Sequence, residues 1–291
     1  MRLLLPLLVA CGATPPDVDT ADPNSCPDPA GQVDVVVDGL DGTEGIAFSP
    51  DGRLFASDLS RVFEVTQDGF IADIATFPHA IGLAWWGDRL MVASFDTGSG
   101  VGGVFSLDVD TGVSTLFAEG IANANFLVVT PWDTLLVADD FDTRIFEVST
   151  TGVVTEFLTG VQSPNGMAFS PDDQTLFYVS TFGATAPVWE IPMSGSTPGT
   201  PTQRMAYGPG EVPDGMAMTA DGNPVIAVNI AGHIDEVSTA GATVLATGVN
   251  TPASLAFGEG DWDRCSVYVT SLYGDGISKI TTGQPGDVPR R

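Results

Sequence analysis

Residues 163–180, SPNGMAFSPDDQTLFYVS, contain the pattern that decides the fold. An apolar stretch, a polar turn (SPDD, 170–173) and a second apolar stretch follow one another, which is typical of a β-hairpin. Five further segments repeat this order, so the chain contains six such units. They are GIAFSPDGRLFASD (45–58), GLAWWGDRLMVASF (82–95), FLVVTPWDTLLVAD (126–139), GMAMTADGNPVIAVN (215–229) and SLAFGEGDWDRCSVYVTS (254–271).

A second hairpin follows the first within the repeating unit, as in RVFEVTQDGFIADIAT (61–76) and HIDEVSTAGATVLATG (233–248). Four antiparallel strands in about 40 residues match a propeller blade and do not suit a solenoid. The last unit ends at GISKITTG (276–283) without a fourth strand, whereas QVDVVVDGL (32–40) precedes the first unit. The sequence therefore predicts an all-β fold: a six-bladed β-propeller with four strands per blade, closed by an N-terminal strand that completes blade six.

Composition excludes several classes of protein. The formal net charge is −27, with only 10 Lys and Arg residues, which argues against nucleic-acid binding. No run of 18 apolar residues is present, so we expect no membrane-spanning helix. An acidic surface of this kind favours solubility and attracts divalent cations.

The N-terminal residues predict export. MRLLLPLLVAC (1–11) reads as a signal peptide whose Leu-Val-Ala-Cys end resembles a bacterial lipobox, with Cys11 as the lipidated residue. An ordinary secretory signal is the alternative. Residues 12–31, rich in Pro, Asp and Thr, predict a flexible tether, and residues 32–291 form the propeller. We expect a monomeric lipoprotein on the periplasmic face or the cell surface, in contact with the membrane only through its lipid anchor.

Two cysteines remain after Cys11. Strand direction places Cys26, just before the N-terminal strand, and Cys265, at the start of a second strand, on the same face of the last blade. An oxidising compartment would allow these two residues to form a closing disulfide.

The candidate site comes from the repeats. In a propeller, the residue just before the first strand of each blade faces the central channel. We call these six residues the ring positions: Glu44, Ile81, Asn125, Asn165, Asp214 and Ala253. Four of the six carry carboxylate or amide oxygens, the ligands that calcium prefers. No Cys or paired His accompanies them, which argues against zinc. The sequence predicts that Glu44, Asn125, Asn165 and Asp214 bind calcium or another divalent cation; the alternative is that these residues only cap turns.

A family resemblance adds to this hypothesis. TEGIAFSPDG (43–52), SPNGMAFSPDDQTLFYVS (163–180) and VPDGMAMTADGNPVIAV (212–228) resemble the senescence-marker-protein/gluconolactonase family, which includes regucalcin. The resemblance implies that Glu44, Asn165 and Asp214 bind one divalent ion and that Asn125 lies near substrate and metal. The ring also resembles that of the paraoxonases, calcium-dependent lactonases and arylesterases that close their propeller with a disulfide. Separately, LLVADDFDTRIFEVSTTG (135–152) resembles NHL-type repeats, and many such propellers only bind partners.

These resemblances imply a calcium-dependent hydrolase of small-molecule lactones or esters, with Asp214 or another nearby carboxylate as general base. His79, two residues before a ring position, is a second candidate base, with a loop hydrogen bond as the alternative. The alternative function is a non-catalytic, NHL-like binding propeller with a structural calcium ion.

The resemblance also has a departure. ANANF (122–126) lacks the Arg with which gluconolactonases recognise sugar acids, which argues against a sugar lactone. Phe126, Trp85 and Trp86 suggest a more apolar mouth, although aromatic residues beside inner strands are more often core. Four polar residues that end second strands are expected to support the ion or to cap turns; they are Asp58, Asp139, Asp140 and Asn229.

Overall fold

The computed structural model describes Cys26, residues 28–274 and residues 276–291, and the regular elements of this part of the chain are 24 β-strands. In chain order they are β1 (Val33–Asp38), β2 (Ile46–Phe48), β3 (Leu54–Ser57), β4 (Leu59–Val65), β5 (Ile71–Trp86), β6 (Arg89–Ser94), β7 (Gly103–Asp108), β8 (Val113–Glu119), β9 (Ala124–Val129), β10 (Leu135–Asp139), β11 (Arg144–Val148), β12 (Val154–Thr159), β13 (Pro164–Phe169), β14 (Thr175–Ser180), β15 (Ala186–Ser194), β16 (Thr197–Pro198), β17 (Thr202–Tyr207), β18 (Pro213–Met218), β19 (Pro224–Val228), β20 (His233–Ser238), β21 (Gly241–Thr247), β22 (Pro252–Phe257), β23 (Ser266–Ser271) and β24 (Gly276–Thr281). Within the described residues, no helix has the length and apolar character needed to span a membrane.

The strands form five antiparallel sheets. Three sheets have four strands each, namely β9–β12, β18–β21, and β22–β24 together with β1. A fourth sheet contains β13–β15 and β17, with the short β16 paired to β15, and the fifth contains the seven strands β2–β8. The innermost strands contact one another in the order β2, β5, β9, β13, β18, β22, and β22 also contacts β2. The all-β class and a propeller-like arrangement are thereby confirmed.

The N-terminal strand lies where the repeats predict it. β1 pairs antiparallel with β24, with Val33 opposite Ile280 and Asp38 opposite Gly276. Cys26 and Cys265 form a disulfide, which confirms the pairing expected from strand direction. Cys11 and residues 12–25 lie outside the described residues, so the lipobox and most of the tether stay predictions.

The seven-stranded sheet differs from the sequence-based expectation of separate hairpins. β5 is a single 16-residue strand that pairs with β4 through its first part and with β6 through its last part. Pro78 would be expected to interrupt a strand because it has no N–H to donate. The ladder accommodates it with a register irregularity, since Arg61 pairs with Thr76 and Leu59 with Ala80, which leaves Pro78 between the paired positions.

Side chains from adjacent sheets fill the spaces between them. One such cluster joins Leu54 and Phe63 of the first sheet to Tyr268 and Ile277 of the last. A cavity of about 160 Å³ follows the innermost strands and is lined mainly by apolar residues such as Phe169. The C-terminal residues Asp287, Pro289, Arg290 and Arg291 border this cavity at the end away from the ring positions.

Candidate functional site

The six ring positions occupy equivalent places in the structure. Asn125, Asn165, Asp214 and Ala253 are each the second residue of their strand, Ile81 lies inside β5, and Glu44 precedes β2 by two residues. All six side chains are at most 9% exposed. The four polar ring residues are therefore buried and are not solvated turn caps.

Glycines that follow ring positions explain how the backbones come so close. A Cβ on Gly45 would lie 2.1 Å from the carbonyl oxygen of Ile81, and one on Gly166 would lie 2.3 Å from that of Asp214. No side chain fits at such distances, so glycine is required by the close approach of the next strand. Equivalent contacts are made by Gly82 and Gly215.

Asp214 is held by two amide side chains. Asn165 donates from Nδ2 to Oδ1 of Asp214 at 3.0 Å, and Asn229 donates from Nδ2 to Oδ2 at 3.3 Å. Asn229 also donates to the carbonyl oxygen of Pro252 at 3.1 Å, which fixes its orientation. Each oxygen of Asp214 accepts one hydrogen bond, so the carboxylate has a defined position while lone pairs remain for another ligand.

Three carboxyl groups repel one another in this cluster. Burial and, to a smaller extent, the charge of Asp140 raise the pKa of Glu44 to about 8. Burial, followed by the charge of Asp139, raises the pKa of Asp140 to about 7, against the opposing effect of a hydrogen bond with Asn125. The pKa of Asp214 is raised well above its usual range by burial and then by Glu44 and Asp140. These directions are what a set of buried like charges without a counter-ion must show.

Several buried oxygens in this cluster have no hydrogen-bond partner: Oε2 of Glu44, Oδ1 of Asp140 and Oδ1 of Asn165. A buried acceptor without a partner is costly, and a bound cation is one group that would satisfy such atoms. Among the described residues, no group of three or more His, Cys, Asp and Glu side chains is arranged to hold a metal. A cation at this place would therefore need amide oxygens and water beside the carboxylates, and such a mixed oxygen set suits calcium.

Asp140 is the member of the cluster that the sequence did not assign to the ring. Its position at the end of a second strand is shared by Asp58, which instead forms an ion pair with Arg61. The neighbouring Asp139 accepts hydrogen bonds from the backbone and side-chain nitrogens of Asn123. The signal for Asp140 was the Asp-Asp doublet, but its sequence position alone does not separate a site residue from a turn cap.

His79 lies apart from the three carboxyl groups. Its side chain is exposed on β5, and it is not among the groups that alter the pKa of Glu44, Asp140 or Asp214. Its electrostatic influence is on Asp96, whose pKa is lowered mainly by backbone hydrogen bonds from Gly98 and Gly100.

Two of the three aromatic residues suggested for an apolar mouth, Trp85 and Trp86, lie away from the ring positions. Trp85 and Trp86 are the last residues of β5, beside the turn at Gly87, and Trp86 donates to Asp133. Phe126 and Trp85 line the central cavity. Trp85 and Trp86 are far from Ile81 because a hairpin strand is long enough to carry its last residues to the opposite end of the channel, whereas Phe126 directly follows Asn125.

Comparisons with known proteins agree with this fold. The model of the family described as the SMP-30/gluconolactonase/LRE-like region matches residues 121–273, which is 153 of the 291 residues. Pentonolactonase XacC of Haloferax volcanii is 33% identical over 147 residues, a span of 48% of this chain and 48% of the relative, so the match covers about half of each protein.

Two solved structures are similar over most of their length. A gluconolactonase of Xanthomonas campestris has a TM-score of 0.72 at 17% identity, covering 86% of this chain and 89% of its own. The calcium-binding protein regucalcin of Agrobacterium tumefaciens has a TM-score of 0.72 at 21% identity, covering 90% and 98%. At these identities the structural likeness supports the propeller fold alone. The family match covers more than half of the chain, and on that ground the chain belongs to the SMP-30/gluconolactonase/LRE-like family.

Proposed function

We propose that this protein is a calcium-dependent hydrolase of small-molecule lactones or esters, with the ion held by Glu44, Asn125, Asn165 and Asp214. The observation that carries the proposal is the group of unpartnered buried oxygens beside mutually repelling carboxyl groups. The names of a relative and of a structural neighbour, a pentonolactonase and a gluconolactonase, support the reaction class. The NHL-like binding propeller is not favoured by these comparisons.

The residues of the chain have separate roles in this proposal. A bound calcium ion would neutralise the carboxylates and polarise the carbonyl group of the substrate. Asn165 and Asn229 orient Asp214 through their hydrogen bonds to its two oxygens. We assign the removal of a proton from the attacking water to Asp140, because its Oδ1 has no partner, and we keep Asp214 as an ion ligand.

We also infer that the propeller has six blades and that β1 completes the last one. The seven-stranded sheet divides into two blades within β5, whose first part pairs with β4 and whose last part pairs with β6. Pairing of β1 with β24, the disulfide, and contacts between β22 and β2 support closure of the ring.

Export as a lipoprotein anchored through Cys11 is a further part of the proposal, based on residues 1–11. Metabolic labelling with a palmitate analogue tests it in cells that express the full chain and, as a control, Cys11→Ser. We expect label in the parent chain only.

Calcium binding and hydrolysis should be measured together. The EDTA-treated protein is titrated with Ca²⁺ by calorimetry, and hydrolysis of δ-valerolactone and phenyl acetate is followed in the same samples. We expect Asp214→Asn to weaken binding at least about tenfold, the loss of one charge-assisted ligand, and to reduce turnover in parallel. Asp235→Asn is the matched control, because Asp235 is an equally buried carboxylate that pairs with His233 away from the ring.

Each outcome has a separate meaning. Calcium binding without turnover in the parent protein would indicate a structural ion in a binding propeller. An absence of calcium binding would overturn the site assignment and leave only the fold and the family.

A further inference from the structure

Three phenylalanines form one surface at the end of the channel that carries the ring positions; we call Phe95, Phe141 and Phe182 the phenyl surface. The rings of Phe141 and Phe182 stack with centroids 5.4 Å apart, and Phe95 meets Phe141 edge-on at 6.3 Å. Phe141 is 65% exposed and Phe182 is 45% exposed. These contacts make a continuous apolar face that spans three successive repeats.

Hydrogen bonds attach this surface to the candidate site. Ser163, two residues before Asn165, donates from Oγ to the carbonyl oxygen of Asp140 at 2.6 Å. The N–H of Phe182 donates to the same Oγ at 3.0 Å. One hydroxyl group thus links the residue before Phe141 to the backbone of Phe182, next to a predicted ion ligand.

Further contacts hold both phenylalanines in place. The N–H of Phe141 donates to Oδ1 of Asp139 at 3.1 Å, and Gln162 donates to the carbonyl oxygen of Phe182 at 2.9 Å. The backbone that carries the surface is therefore held in place before any ligand arrives, which lowers the entropy lost on binding.

Folding does not explain this exposure. Neither Phe141 nor Phe182 belongs to the buried clusters between sheets, and the chain carries a net charge of −27. The described part of the chain has four exposed aromatic side chains: Phe70, Phe141, Phe182 and Tyr273. The last three follow the second strand of a repeat and so lie at the end of the channel that carries the ring positions. Clustered exposed apolar side chains beside a group of buried polar side chains are typical of a ligand-binding surface.

We propose that the phenyl surface binds an apolar alkyl or aryl substituent of the substrate, so that the site prefers substituted lactones or esters to small or polyhydroxylated ones. This inference rests on the proposed function, which supplies the hydrolysis of a lactone or ester. The binding of the substituent rests separately on the contacts of the phenyl surface. A substituent on the scissile ring would lie across Phe141 and Phe182 while its carbonyl group faces Asp140 and the ring positions.

Hydrolysis of matched lactones gives the first test. The ratio of kcat/KM for γ-nonalactone to that for γ-butyrolactone is measured for the parent protein, for Phe141→Ala and Phe182→Ala, and for Phe70→Ala. Phe70 is an equally exposed phenylalanine in the turn between β4 and β5, outside the phenyl surface, and it serves as the control. We expect a ratio of about ten or more in the parent and the control, reduced about tenfold in the other two variants, the effect of removing one apolar contact face.

Binding of cyclic ethers that cannot be hydrolysed separates this proposal from the proposed function. Calorimetry compares 2-pentyltetrahydropyran with tetrahydropyran on the same four proteins. Tighter binding of the pentyl ether that depends on Phe141 and Phe182, without any lactone turnover, would support the phenyl surface and overturn the hydrolase. If the preference for the pentyl ether over tetrahydropyran were the same in all four proteins, and thermal unfolding were unchanged, the phenyl surface would be overturned. This conclusion would hold whether or not the parent protein hydrolyses lactones. A third result would assign the surface to a lipid interface and also refute the proposal. In that case Phe141→Ala and Phe182→Ala would lose co-sedimentation with phosphatidylcholine vesicles, while the kcat/KM ratio and the relative affinity for the two ethers stayed unchanged.

Discussion

The stability of the metal-free protein should fall as the pH rises from 5 to 7. Glu44 and Asp140 have pKa values of about 8 and about 7 in the folded chain, against ordinary values of 4.5 and 3.8. Between pH 5 and pH 7 the folded chain therefore keeps protons on these two groups that the unfolded chain has already lost at lower pH. Because the folded state binds more protons, its stability decreases with increasing pH.

The structure sets the size of this effect. Each retained proton changes the free energy of unfolding by about 1.4 kcal/mol per pH unit, so two groups over two units give at most about 5 kcal/mol. We expect an observed loss of about 3–5 kcal/mol, which is large beside a typical total stability of about 5–15 kcal/mol. Raised pH should also strengthen stabilisation by added calcium, because the ion binds the deprotonated carboxylates.

Urea unfolding, monitored by tryptophan fluorescence in EDTA at pH 5, 6 and 7, measures the slope of the free energy of unfolding against pH. Asp140→Asn removes one titrating group of the cluster, and it also removes a charge that raises the pKa of Glu44 and of Asp214, so the loss of stability with pH should become smaller. Asp68→Asn, at an exposed turn between β4 and β5, is the control and should leave the slope unchanged. A free energy of unfolding that is constant or increases from pH 5 to pH 7 would refute the buried carboxyl cluster.

Other substitutions test the closure and the packing of the ring. Cys265→Ser removes a disulfide that joins residues 239 apart in sequence, and we expect the free energy of unfolding in urea to fall by about 3–5 kcal/mol. Dithiothreitol should destabilise the parent protein by the same mechanism and have no effect on the variant. Gly166→Ala places a Cβ 2.3 Å from the carbonyl oxygen of Asp214, and should cost about 1–3 kcal/mol or more; Gly208→Ala, which meets only the end of a flexible side chain at 3.3 Å, is its control. Arg290→Ala removes ion pairs beside the central cavity and should lower stability by about 1–2 kcal/mol in the same assay; an unchanged midpoint would show that the C-terminal residues do not hold that end of the channel.

Internal repetition made much of the fold predictable. Each hairpin could be aligned with the others, and the missing fourth strand after residues 276–283 pointed to β1 as its replacement. The continuous strand β5 was not predictable in this way. Pro78 normally signals a break, and only the pairing of Leu59 and Arg61 around it shows how the strand continues.

The candidate site was predictable where it followed the repeat and not elsewhere. Equivalence among the repeats brought Asn165 and Asp214 into the same ring, and the structure places a hydrogen bond between them. Asp140 could not be separated from Asp58 by the same reasoning, because both end a second strand and only burial distinguishes them. Exposure of Phe141 was equally invisible, since the sequence does not tell which aromatic residues remain uncovered.

The packing of the ring and the chemistry of the candidate site depend on the same backbone contacts. Gly45 lies against the carbonyl oxygen of Ile81, a ring position. This contact sets the distance between the inner strands of the first two repeats. On the other side, Thr270 of the last sheet donates from Oγ1 to the carbonyl oxygen of Glu44 at 2.5 Å. Glu44 is thus positioned between the first repeat and the sheet that β1 and the disulfide complete. A change in how that sheet is held must therefore move a predicted ion ligand, even though Cys265 lies at the opposite end of its strand. For this reason we expect substitutions in that sheet, at residues that contact no predicted ligand, to alter the proposed calcium affinity through the position of Glu44.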